Sequence, residues 1–125
     1  MNVRIESIGS VTLITPLDNY LDAGRSKSFR REVVDQLAVD ARVILDLSAL
    51  KFIDSSGCGA ILACSRRVNP EGVGPGDLKL CAASRQIRTV FEMVRLHKVL
   101  EIFNTREEAL HALGIEVTES TVSAS

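Results

Sequence analysis

Tryptophan is missing from this 125-residue sequence, tyrosine occurs once and phenylalanine four times. Platforms of aromatic side chains for stacked bases are therefore absent from the pattern. A net charge of −1 also lacks the basic excess that binds nucleic acid or anionic lipid, so neither is an expected partner. Cysteine is scarce and odd in number: Cys58, Cys64 and Cys81, with no C-x-x-C spacing. Reduced, buried thiols that serve as small apolar residues are expected. His97 and His111 lie far from each other and from the cysteines in sequence, so no metal centre and no cofactor is expected. No apolar run is long enough to span a bilayer. The opening "MNVRIESIGS" has neither the basic start nor the apolar stretch of a signal peptide. The expectation is a cytoplasmic protein without a membrane segment.

What is present is an alternation of strand and helix patterns. "VRIESI" alternates apolar and polar residues, and "GS" separates it from "VTLIT", which reads as a hairpin with Gly9 at the first central position of a type II′ turn. "LDNYLDAG" reads as a loop whose Asp22 caps a helix carrying Phe29, Val33 and Leu37 at four-residue steps. "RVILDLS" suits a strand buried on both faces. A helix is expected from Gly57 to Val68, its first turns built from the small residues Gly57, Gly59, Ala60 and Ala63. "NPEGVGPGD" follows a helix and leads into the strand "LKLCA", so its glycines make a connector and not a phosphate loop. Ser84 caps a helix with Ile87, Val90, Phe91 and Val94 on one face; "VLEIF" is a short strand; "TREE" opens a last helix as a capping box. The order ββαβαβαβα defines one α/β domain, residues 1–115, with a mixed sheet and helices packed on it. Residues 116–125 are expected to form a loose tail.

The stretch "KFIDSSGCGA", residues 51–60, is the chemically conspicuous one. Two adjacent hydroxyls stand between a strand-like and a helix-like run. A capping role for Ser56 satisfies the pattern without any further function. A hydrolase nucleophile does not fit: G-x-S-x-G needs glycine two places before the serine, where Ile53 or Asp54 stands. No histidine is placed as a base, so no catalytic residue is assigned and an enzyme is not expected. The third reading is a phosphoacceptor, since a serine at a helix start is framed by small residues and within reach of a kinase.

"VILDLSALKFIDSSGCGAIL" resembles the STAS-domain family, and within it the bacterial anti-sigma factor antagonists. "YLDAGRSKSFRREV" is similar to the family's loop and first helix, and "FEMVRLHKVLEIFNTREEAL" to its later elements. The resemblance implies partner switching. The unphosphorylated antagonist binds an anti-sigma factor that is also a serine kinase of the histidine-kinase-like ATPase type. Phosphorylation by that kinase inactivates the antagonist, and a metal-dependent serine phosphatase restores it. By position in the motif, Ser56 is the acceptor. Asp22, Asp54, Ser55, Ser56, Gly57, Cys58 and Gly59 are the implied partner-binding residues. A non-switching STAS scaffold, or a small-ligand-binding regulatory module, is the alternative.

Overall fold

The computed structural model describes residues 1–116. All but Glu116 of the segment 116–125, expected as a tail, lies outside the described residues. Strands β1 (Val3–Ile8) and β2 (Val11–Pro16) form the hairpin, closing with Ile8 opposite Val11. Gly9 adopts φ +60° while Ser10 stays out of the left-handed region, as a type II′ turn requires. Three parallel strands follow: β4 (Arg42–Asp46), β6 (Asp77–Cys81) and β7 (Ile102–Phe103). The five-stranded sheet has the order β1-β2-β4-β6-β7, antiparallel only at its first pair. Helices α1 (Ala23–Glu32), α2 (Ser55–Val68), α3 (Arg85–Met93) and α4 (Arg106–Ala112) complete the domain.

Both faces of the sheet are covered, which explains the near-continuous apolar run in β4. Val43 and Leu45 point into one cluster, with Phe29 of α1, Ile61 of α2 and Phe91 of α3. Ile44 points into a second, with Ala109 and Leu110 of α4. The expected helix faces are mostly as read. Phe29, Val33 and Leu37 are all buried, although α1 ends at Glu32 and a short 3-10 turn carries the chain on. Val94 departs from the expected buried face of α3: it lies past the helix end and is exposed. Ser84 and Thr105 cap α3 and α4 through the amides of Ile87 and Glu108.

The stretch read as a loop contains a strand. Tyr20–Leu21 (β3) pairs in parallel with Phe52–Ile53 (β5), making a separate two-stranded ladder. Each strand is aromatic then aliphatic, and each is followed by an aspartate and a helix: "YLDAG" and "FIDSSG". The two aspartates have nearly the same backbone, φ −116°, ψ −175° at Asp22 and φ −115°, ψ −174° at Asp54. Parallel pairing of these strands brings the starts of α1 and α2 side by side.

Candidate functional site

Two adjacent helix starts place two sets of unpaired amides and two positive dipole ends next to each other. The carboxylates answer both problems. Asp22 Oδ1 accepts from the amide of Arg25, 3.1 Å, in the first turn of α1. Asp54 Oδ1 accepts from the amide of Gly57, 2.9 Å, and its Oδ2 accepts from the amide of Ala23, 3.0 Å. Asp54 thus caps its own helix and ties it to the start of the other.

The capping role expected for Ser56 is therefore corrected. Asp54 is the N-cap of α2; Ser55 and Ser56 are its first two helical residues. The extended conformation imposed by the β3–β5 ladder puts the aspartate at the boundary. Ser55 is exposed and Ser56 half-buried. Both hydroxyls are left to other uses, since the cap hydrogen bond is made by Asp54.

Gly57 and Cys58 lie beneath the surface. A Cβ on Gly57 would stand 2.1 Å from the carbonyl oxygen of Leu21 and 2.7 Å from Ile53 Cγ1. The missing side chain lets α2 press onto the β3–β5 ladder. Burial, with a smaller contribution from the Asp54 charge, pushes the Cys58 thiol up to about 11. It is a packing residue here, without nucleophilic character at neutral pH. Gly59 is half-exposed, and the atom nearest to its would-be Cβ is Arg30 Nη2 at 3.5 Å.

The same face carries residues that the sequence reading did not single out. Tyr20 and Phe52, opposite each other in the ladder, are 47% and 44% exposed with ring centroids 6.1 Å apart. Exposed aromatics of this kind are over-represented at protein interfaces. Arg25 lies over the Tyr20 ring, 5.3 Å from its centroid, and pairs with Asp22 at 3.2 Å. The repeated aromatic–aliphatic–aspartate pattern before a helix is the signal that could have found this pair.

A second polar site holds the back of the sheet. Asp46 ends β4 and is 4% exposed. Its Oδ2 accepts from Arg106 Nη2 at 2.8 Å, and its Oδ1 from the amide of Ser48 at 2.9 Å. Burial alone would raise this carboxyl, but the hydrogen bonds from Arg106 and Ser48 outweigh it and hold the group below its ordinary value. The pair fastens the start of α4 to the central strand.

These features define the class: a small α/β domain whose mixed sheet positions two aspartate-capped helix starts beside an exposed aromatic ladder. Residues 2–109 match the model of the STAS domain family, and the chain belongs to that family. It is 29% identical over 120 residues to the anti-sigma F factor antagonist of Paenibacillus polymyxa, covering 92% of this chain and 98% of that one. Among solved structures, it is similar to an anti-sigma-factor antagonist (STAS) domain protein from Planctomyces limnophilus. That match has TM-score 0.79 and 22% identity, and covers 90% of this chain and 97% of that chain. The anti-sigma factor antagonist SpoIIAA in its unphosphorylated form matches with TM-score 0.62 and 26% identity, over 90% of this chain and 97% of that chain. Among the described residues no helix is long and apolar enough to cross a membrane.

Proposed function

We propose that this chain is an anti-sigma factor antagonist, a binding protein and not an enzyme, switched by phosphorylation of Ser56. The observation that carries the reading is the placement of Ser56. It stands in the first turn of α2, half-exposed, beside the start of α1 and free of the capping duty that Asp54 performs. The full-length likeness to the Paenibacillus polymyxa antagonist supports the assignment. The partner is an anti-sigma factor that is also an ATP-dependent serine kinase. It docks on the face bearing Asp22, Ser55, Ser56 and Gly59, with Tyr20 and Phe52 as its apolar anchors. Gly57, Cys58 and Asp54 act beneath that face by holding the two helix starts in place. Ser56 Oγ attacks the γ-phosphorus of ATP. The Oγ–P bond forms as the bond to the β-phosphate oxygen breaks, the hydroxyl proton leaves, and ADP departs. A metal-dependent serine phosphatase hydrolyses the ester and resets the protein.

The switch works through charge and bulk. A phosphoserine adds nearly two negative charges at neutral pH. The start of α2 tolerates that charge within the free domain. Against the partner it does not: one carboxylate about 5 Å away repels each unit charge by roughly 3 kcal/mol at an effective dielectric of 20. That corresponds to about a hundredfold in affinity. Incubation with the cognate kinase and ATP, followed by peptide mass spectrometry, is expected to place phosphate on Ser56. Phosphate confined to Ser55 or Ser84 would reject the assignment.

A further inference from the structure

A cation lies across α2 one turn below the serine pair, and no carboxylate among the described residues is paired with it. Arg30 is on α1, yet its Nη2 sits 3.5 Å from where a Cβ of Gly59 would be. Its charge is felt as far as the thiol of Cys64: burial pushes that group up to about 12, against an opposite pull from Arg30. Arg25 and Arg106, by contrast, each hold carboxylates.

The facing of α2 favours Ser56 over Ser55 as the serine turned towards α1. Arg67 lies eleven residues after Ser56 (67 − 56), and its guanidinium donates to the carbonyls of Leu37, 2.9 Å, and Asp35, 3.3 Å, directly after α1. Eleven residues are three helical turns to within about 20°, so Ser56 faces α1 as Arg67 does. Ser55 is turned about 100° from it and is exposed. Gly59 is three residues from Ser56 and four from Ser55, so both side-chain origins lie about 5–6 Å from it, and of the two Ser56 is the one on the side towards α1. A phosphate on Ser56 Oγ spans the gap that remains to the guanidinium.

We propose that Arg30 is an intramolecular receptor for a phosphate on Ser56, with the phosphoserine closing the α1–α2 groove onto the guanidinium. This rests on the reading of Ser56 as the phosphoacceptor and adds what happens to the group once it is attached. The guanidinium offers a planar fork of donors to two phosphate oxygens. It draws the phosphate towards α1 and away from Asp54, whose carboxylate is two residues before. Gly59 is what leaves room for the fork, since a longer side chain there would occupy the same space. The phosphorylated state is thereby held as one ordered arrangement, and α1 and α2 gain a second tie beside the Asp54 bridge.

The test installs phosphoserine directly at position 56 during translation and follows the phosphorus resonance through a pH titration at low salt. Its second ionisation ordinarily falls near pH 6. It is expected about half a pH unit lower in the wild-type sequence than in Arg30→Gln, the size of an exposed ion pair. Arg31→Gln should titrate like the wild type, Arg30→Lys should keep part of the shift, and high salt should shrink it. Phosphoserine placed at position 55 should show a smaller Arg30 effect than at position 56, since it is turned away from α1 and exposed. Curves for the wild type and Arg30→Gln that coincide within about 0.1 unit, or an equal Arg30 effect at position 55, would overturn the proposal. Circular dichroism checks that each variant is folded. Because the phosphate is supplied without a kinase, failure of a kinase to modify Ser56 would count against the proposed function and leave this result standing.

Discussion

Asp22 and Asp54 occupy equivalent places in two copies of one local pattern, yet the same substitution should affect them differently. Asp22 accepts one backbone amide and an exposed guanidinium. Asparagine caps a helix about as well as aspartate, and an exposed ion pair contributes from nothing to about 1 kcal/mol. Asp22→Asn should therefore cost under about 0.5 kcal/mol. Asp54 accepts two backbone amides, one on each oxygen, at 2.9 and 3.0 Å. Asparagine has one carbonyl oxygen and one NH₂ group, so one amide must face a donor. The Ala23 amide is exposed and turns to water, so the loss is that of one net hydrogen bond to a charged acceptor, about 1.5 kcal/mol. At a urea slope of about 1.5 kcal/mol/M this moves the unfolding midpoint down by about 1 M. The assay is urea unfolding of both variants followed by far-UV circular dichroism. Equal midpoints for Asp22→Asn and Asp54→Asn would refute the bridge between the helix starts.

The two glycines of α2 should also separate. Gly57→Ala puts a methyl against the Leu21 carbonyl and is expected to destabilise by about 2 kcal/mol or more, whereas Gly59→Ala meets only ordinary contacts and should stabilise by about 0.5–1 kcal/mol. Thermal melts of the two give opposite signs if the packing is as described. The Asp46–Arg106 pair has a pH signature. The Asp46 carboxyl is lowered from 3.8 in the folded state, so its contribution is full above the unfolded value and fades as pH falls through the folded one. The stability gap between wild type and Arg106→Gln should be constant from neutral pH to about pH 5 and narrow below about pH 4. A gap that stays constant down to strong acid would show that Asp46 is not the partner.

The sheet and helices were legible because their periodicities are long enough to read. β4 is an apolar run, α3 carries its i, i+3, i+4 face, and the hairpin declares itself by Gly9-Ser10. β3 and β5 were not legible: a strand of two residues has no alternation, and only its pairing with residues 32 positions away makes it a strand. The cap of α2 was misplaced for a related reason. D-S-S offers three residues able to cap, and local sequence does not choose among them; the β3–β5 ladder does, by holding Asp54 extended. Nothing in the sequence marks Arg30, because the glycine it lies on belongs to another helix. The Asp46–Arg106 pair joins residues 60 apart, a contact that no spacing rule reveals. The motif did point to residues that the fold brings near one another: Asp22 and Asp54 cap the adjacent starts of α1 and α2, and Ser55 and Ser56 open α2.

The most direct measurement is calorimetric titration of the proposed anti-sigma factor kinase, held with ADP, into this chain unmodified and phosphorylated on Ser56. The account predicts binding about a hundredfold weaker for the phosphorylated form, with identical circular dichroism for the two free proteins. Equal affinities, or a phosphorylated domain that has lost secondary structure, would contradict it.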